Sequence, residues 1–169
     1  VAHFNTPVQC RSYEGVVTAV DGPALGLTST DIGVSESSST AAGDSLQLSG
    51  GGIYAEHFSW SSPGPASFGM INPDQQFGDP GNGPDTQIVI NELDADNPGT
   101  DAAEFIELYD GTRVNTALDG LVLVTYNGSN DSVHRPFDLC GSGTDSHVHF
   151  FPAVAAANVS RCELDVTTG

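Results

Sequence analysis

The sequence predicts an all-β fold, and three observations carry that expectation. Apolar residues come in short runs or in strict alternation, and Gly, Pro, Asn, Asp and Ser interrupt them every eight to twelve positions. No stretch repeats apolar residues at the period of an amphipathic helix. At 169 residues the chain can bury a core of its own, with one domain as the default. Its 20 Gly and 10 Pro stay below the roughly 25–30% that marks low-complexity disorder.

The strand candidates follow in chain order. "EGVVTAV" at 14–20 is the first, and "SLQLS" at 45–49 alternates strictly, which puts Leu46 and Leu48 on one face. "IVINEL" at 88–93 and "EFIELY" at 104–109 come next; in a strand over 104–109, Glu104 and Glu107 point to opposite faces. "LDGLVLVTY" at 118–126, "HVHFF" at 147–151 and "NVSRCELDV" at 158–166 complete the set. "GDPGNGPDTQ", 78–87, is polar and rich in Pro and Gly with nothing to bury, so it reads as a linker between residues 1–77 and 88–169.

Charge excludes several functions. Twenty-two acidic residues stand against four Arg and no Lys, a formal net charge of −18. Such a surface repels phosphate backbones and anionic lipid heads, so nucleic-acid binding is not expected. No run of 18 apolar residues exists to insert into a membrane. The Lys-free acidic composition, the abundance of Ser, Thr and Gly, and an odd set of three cysteines together point to an extracellular or cell-surface protein. Cys10, Cys140 and Cys162 form no CxxC motif, so a zinc or redox site is not expected.

The acidic stretch 88–111 is the main site candidate. Glu92, Asp94, Asp96, Asp101 and Glu104 could supply hard oxygen ligands to Ca²⁺, the one cofactor the pattern suggests. The competing reading is a solvated, unliganded loop between two strands. Asp94-x-Asp96 with Gly99 imitates half of an EF-hand loop, but Pro98 stands where a ligand is needed and Phe105 where the bidentate Glu belongs. His147 and His149 read as a surface or half-buried pair. No nucleophile motif appears, so an enzyme is not expected. Asn127, Asn130 and Asn158 each open an Asn-x-Ser sequon, and "YNGSNDS" is turn-like, where a glycan could stand in solvent.

The order of the parts is the most informative feature. "IVINELDADNPGTDAAEFIELYDG" followed by "LDGLVLVTYNGSND" resembles the opening of lamin-tail-like domains, whose first strand ends in Asn-Glu (here Asn91-Glu92) and whose next reads Glu-Phe-Ile-Glu-Leu-Tyr. "GDSLQLSGGGIYAEHFSW", with Trp60, and the run Gly69-x-x-Asn72-x-x-Gln75 resemble the closing strands of the same family. The resemblance implies an immunoglobulin-like β-sandwich built from two half-domains in permuted order. A half-sandwich leaves strand edges and an apolar face uncovered, so each half must be completed by the other.

Closure within one chain requires ten linker residues, which reach at most about 33 Å, to join ends expected at opposite poles. That closure is feasible but tight, and one period of a covalent tandem array is a further way to complete the halves; the favoured expectation is an extracellular structural protein that polymerises head to tail with copies of itself by strand complementation. The alternative is a calcium-dependent adhesion or anchoring module of a larger secreted protein, since the family accompanies secreted nucleases. On the polymer reading a Cys10–Cys162 bridge links successive copies; Cys140–Cys162 is the other pairing.

Overall fold

A computed structural model describes residues 9–52, 54–78, 88–95, 104–110 and 116–144, together with the backbone of 151–152. Among the described residues ten strands are formed: β1 (Arg11–Ser12), β2 (Thr30–Asp31), β3 (Asp44–Gly52), β4 (Phe58–Pro65), β5 (Gln75–Phe77), β6 (Val89–Asp94), β7 (Phe105–Tyr109), β8 (Val122–Asn127), β9 (Ser132–Asp138) and β10 (Phe151–Pro152). One 3₁₀ turn, Ala55–His57, links β3 to β4, and no α-helix occurs among the described residues. The fold is all-β, as the punctuated apolar pattern requires.

The main sheet has six strands in the order β10-β7-β6-β3-β4, with β5 lying parallel along the far end of β3. Its other pairings are antiparallel. The β3–β6 contact, Leu46 opposite Leu93 and Gln47 opposite Glu92, joins the two sides of the linker inside one chain. The expected separation of the linker's ends does not hold. Phe77, last residue of β5, places its ring 4.3 Å from that of Tyr109, and Tyr109 is the ladder partner of Val89 at the start of β6. The connection through 78–87 therefore joins neighbours.

Alternation along β6 and β7 feeds two separate apolar cores, one on each face. Val89 and Tyr109 join Leu48 and Phe58 in one, with Trp60 and Phe77 packed against them. Ile90, Ile106 and Leu108 turn the other way, towards Leu118 and Leu139. The β8–β9 hairpin covers this second core with Leu123 and Phe137, giving a sandwich-like second layer. Because both faces are covered, β3 breaks the rule of one wet face. Leu46 and Leu48 are buried as expected, yet Ser45 and Gln47 between them are buried as well.

Two strand expectations need correction. Residues 14–20 form no strand: Glu14 and Gly15 take positive φ (62° and 115°), and the segment that follows makes one arm of a narrow loop over 17–29, held by an isolated Thr18–Thr28 bridge. The strand expected over 118–126 begins only at Val122, because Leu118–Leu121 is a turn with Gly120 at φ 80°. Residue 151 alone of 147–151 lies among those described, and 158–166 lies outside them.

Leu118 is fully enclosed in the second core. Leu118→Ala is expected to lower unfolding free energy by about 2–5 kcal/mol, read as a shift of the urea midpoint.

Candidate functional site

A buried polar cluster occupies the joint between the two sides of the linker. β6 and β7 pair residue for residue except at Asn91, where the register shifts so that Asn91 and Glu92 together face Glu107. Such a bulge re-aims side chains. Here it lets two consecutive residues, which strict alternation would send to opposite faces, both reach one cluster. Asn91, Glu92 and Glu107 have no exposed surface.

Glu92 is held from β3 and from the loop after β4. Its Oε1 accepts hydrogen bonds from the Ser45 hydroxyl, from Gln47 Nε2 at 3.2 Å and from the Ser67 backbone N–H at 2.9 Å. Ser67 Oγ lies 3.1 Å from Glu92 Oε2 and 2.8 Å from Asn72 Oδ1. Glu107 accepts from Asn91 Nδ2 at 2.9 Å and from the Gly69 N–H at 3.0 Å. Gly69 sits at φ 78°, where a side chain would be strained, so glycine is needed to turn its N–H onto the carboxyl.

Asn72 closes the seam. Beyond the two paired positions β3 and β6 part, and the Asn72 amide donates to Leu48 O at 3.0 Å and to Asn91 O at 3.1 Å, one carbonyl from each strand. Gln75 Nε2 donates to Asn91 Oδ1 at 2.7 Å and its Oε1 accepts from the Asn72 N–H. Thus Gly69, Asn72 and Gln75, spaced by three in the sequence, converge with Asn91, Glu92 and Glu107 from across the linker. Above them, the loop they brace presents Phe68, Met70 and Ile71, which are 47%, 63% and 50% exposed.

The two carboxyl groups sit opposite one another with neutral hydrogen-bond partners. Burial pushes Glu107 up to about 8, and nearby Glu92 adds to this, while the bonds from Asn91 and Gly69 pull the other way. Glu107 is therefore a neutral acid at pH 7. Both groups are buried, and their partners tie β6 and β7 to β3 and to the loop after β4.

Of the expected calcium ligands, Glu92 is engaged in the cluster, Asp94 is buried and Glu104 is exposed. Asp96 and Asp101 lie outside the described residues, as do His147, His149, Asn158 and Cys162, and with Cys162 both proposed disulfides. Among the described residues no three His, Cys, Asp or Glu side chains gather as metal ligands. Cys10 is half-buried, which raises its thiol pKa. Asn127 and Asn130 are exposed at the β8–β9 turn. Trp60 helps line an open groove of about 310 Å³, together with Arg11, Asp31, Glu56, Phe58 and Ile90.

Sequence reasoning missed Ser45, Gln47, Ser67 and the pairing of Glu92 with Glu107. A polar residue between two core leucines was the available signal for Gln47. Searches against family models, curated proteins and solved structures return no match to this chain.

Asn72→Ala leaves two buried carbonyls without a donor and is expected to cost about 2–5 kcal/mol, measured by chemical denaturation. The pH dependence has a definite sign. Unfolded, the Glu107 carboxyl ionises near 4.5, whereas folded it keeps its proton to about 8. Between those values the native state binds the extra proton, so stability falls as pH rises, by at most about 1.4 kcal/mol per pH unit from this group. Glu107→Gln is expected to flatten that decline in unfolding curves recorded from pH 5 to pH 9.

Proposed function

We propose that this protein is a non-catalytic extracellular module of the immunoglobulin-like, lamin-tail-like type, with a structural role in adhesion or anchoring, that closes on itself within one chain. One observation carries the reading: the cluster's long-range bonds run from residues 45–75 to residues 91–107 of the same chain, so each side of the linker supplies what the other lacks. The enclosed carboxyl pair suits a fastening better than a reaction centre. The charge of −18 without Lys suits a solvated surface away from nucleic acid. The Gly69, Asn72, Gln75 and Asn91-Glu92 motifs that carry the family resemblance are also the residues that fasten the joint. The exposed Phe68, Met70 and Ile71 give such a module an apolar tip for anchoring.

Filament assembly is the second reading, favoured by the same cluster. Its two sides are joined covalently only through 78–87, so an exchange that pairs 44–78 of one copy with 88–110 of the next would rebuild every bond and propagate head to tail.

Light scattering on chromatographed protein, diluted one-hundred-fold, separates the two. The closed module is expected to keep the mass of one chain, 17.5 kDa, throughout. Assemblies that lengthen with concentration would replace it with the exchange filament.

A further inference from the structure

The β8–β9 turn carries two sequons in tandem, Asn127-Gly128-Ser129 and Asn130-Asp131-Ser132. Both asparagines are exposed. In each, the side-chain carbonyl accepts two hydrogen bonds from the serine two positions on. Asn127 Oδ1 takes the Ser129 N–H at 2.8 Å and hydroxyl at 2.7 Å, and Asn130 Oδ1 takes those of Ser132 at 3.2 Å and 2.8 Å. Neither Nδ2 donates a hydrogen bond among the described residues, so each is held by its carbonyl while its nitrogen is left to solvent. A hydroxyl bonded to the amide carbonyl draws electron density towards oxygen and eases loss of an Nδ2 proton.

The two asparagines differ in their surroundings. Asn127 ends β8 and is paired with Ser132 across the ladder. Asn130 lies in the turn itself, beside Asp131, whose carbonyl accepts the Val20 N–H at 3.0 Å. The 17–29 loop is tied down here a second time, by the Tyr126 hydroxyl accepting the Ala24 N–H at 3.0 Å. Around these anchor points Val20 is 57% and Leu25 66% exposed. A sugar chain rising from Asn130 starts next to this bare apolar surface, and the C–H faces of its rings can lie on it.

From this juxtaposition we propose that Asn130 is an N-glycan acceptor and that the glycan shields the exposed apolar residues of the 17–29 loop. The inference rests on the extracellular reading above. In the transfer, Asn130 Nδ2 bonds to C1 of an oligosaccharide carried on a polyisoprenyl pyrophosphate. The C1–O bond breaks, the pyrophosphate leaves with its electron pair, and Nδ2 gives up one proton to the transferase's base. Only three positions separate the asparagines, so a chain on Asn130 crowds Asn127, and one glycan per turn is expected.

The test is secretion of the full chain, Asn127→Gln and Asn130→Gln from a eukaryotic host, with glycopeptide mass mapping before and after an amidase that removes the glycan and leaves aspartate. Wild type and Asn127→Gln are expected to carry one glycan at residue 130. Asn130→Gln is expected to lose it and to bind a hydrophobic dye several-fold more strongly. A bare turn in secreted wild type, a glycan only on Asn127, or unchanged dye binding after glycan removal would overturn the proposal. Protein from its own source that lacks a glycan while the secreted chain carries one would count against the extracellular reading and leave the acceptor assignment intact.

Discussion

Glu92 and Glu107 must be supplied with hydrogen-bond donors in a place that water does not reach, and the rest of the sheet is arranged around that constraint. A buried carboxyl group without partners is too costly to keep, and two side by side are worse. Among the described residues, hydroxyls, amides and backbone N–H groups supply the pair's hydrogen bonds. With Glu107 keeping its proton, the pair does not have to bear two charges at neutral pH. Those donors come from β3 and from the 66–75 loop, so satisfying the carboxyls and joining the two sides of the chain are one event.

That coupling ties residues 44–78 to residues 88–110 within one chain. The apolar expectation was that neither side could cover its own surface, and each side does lean on the other: Leu48 and Phe58 from one pack with Val89 and Tyr109 from the other. Polar specificity is added to this burial. An apolar joint could slip by a residue, whereas Asn72 fits only where one carbonyl of β3 and one of β6 stand within reach of the same amide. The bulge at Asn91 fixes the register further, because losing it would send either Asn91 or Glu92 to the wrong face. The same rigidity reaches the surface: the loop whose N–H groups bind both carboxyls is the loop that displays Phe68, Met70 and Ile71.

Much of this was legible beforehand. Strands at 45–49, 88–93 and 104–109 were readable because a short apolar period bounded by turn formers admits few alternatives. The opposition of Glu104 and Glu107 followed from the strand period alone, and one is exposed while the other is enclosed. Residues 14–20 misled because their apolar content matched a strand, while Glu14 and Gly15 took turn conformations and the residues after them fold back on 27–29 through an isolated bridge. The acidic stretch was read from neighbours in sequence, whereas the hydrogen-bond partners of Glu92, and Glu107 opposite it, lie 15 to 47 positions away.

What the sequence by itself determined is the class of structure and the parts of the joint: an all-β chain, and the Gly69, Asn72, Gln75 and Asn91-Glu92 motifs. Those follow from local periodicity and local turn chemistry, which neighbouring residues suffice to express. Only the tertiary structure decided that Phe77 and Tyr109 are neighbours, that both faces of β3 are covered, and that the motifs meet around Glu107. Each of those facts depends on which strand lies beside which, and strand pairing is a long-range choice made by burial and by the need to satisfy buried polar groups.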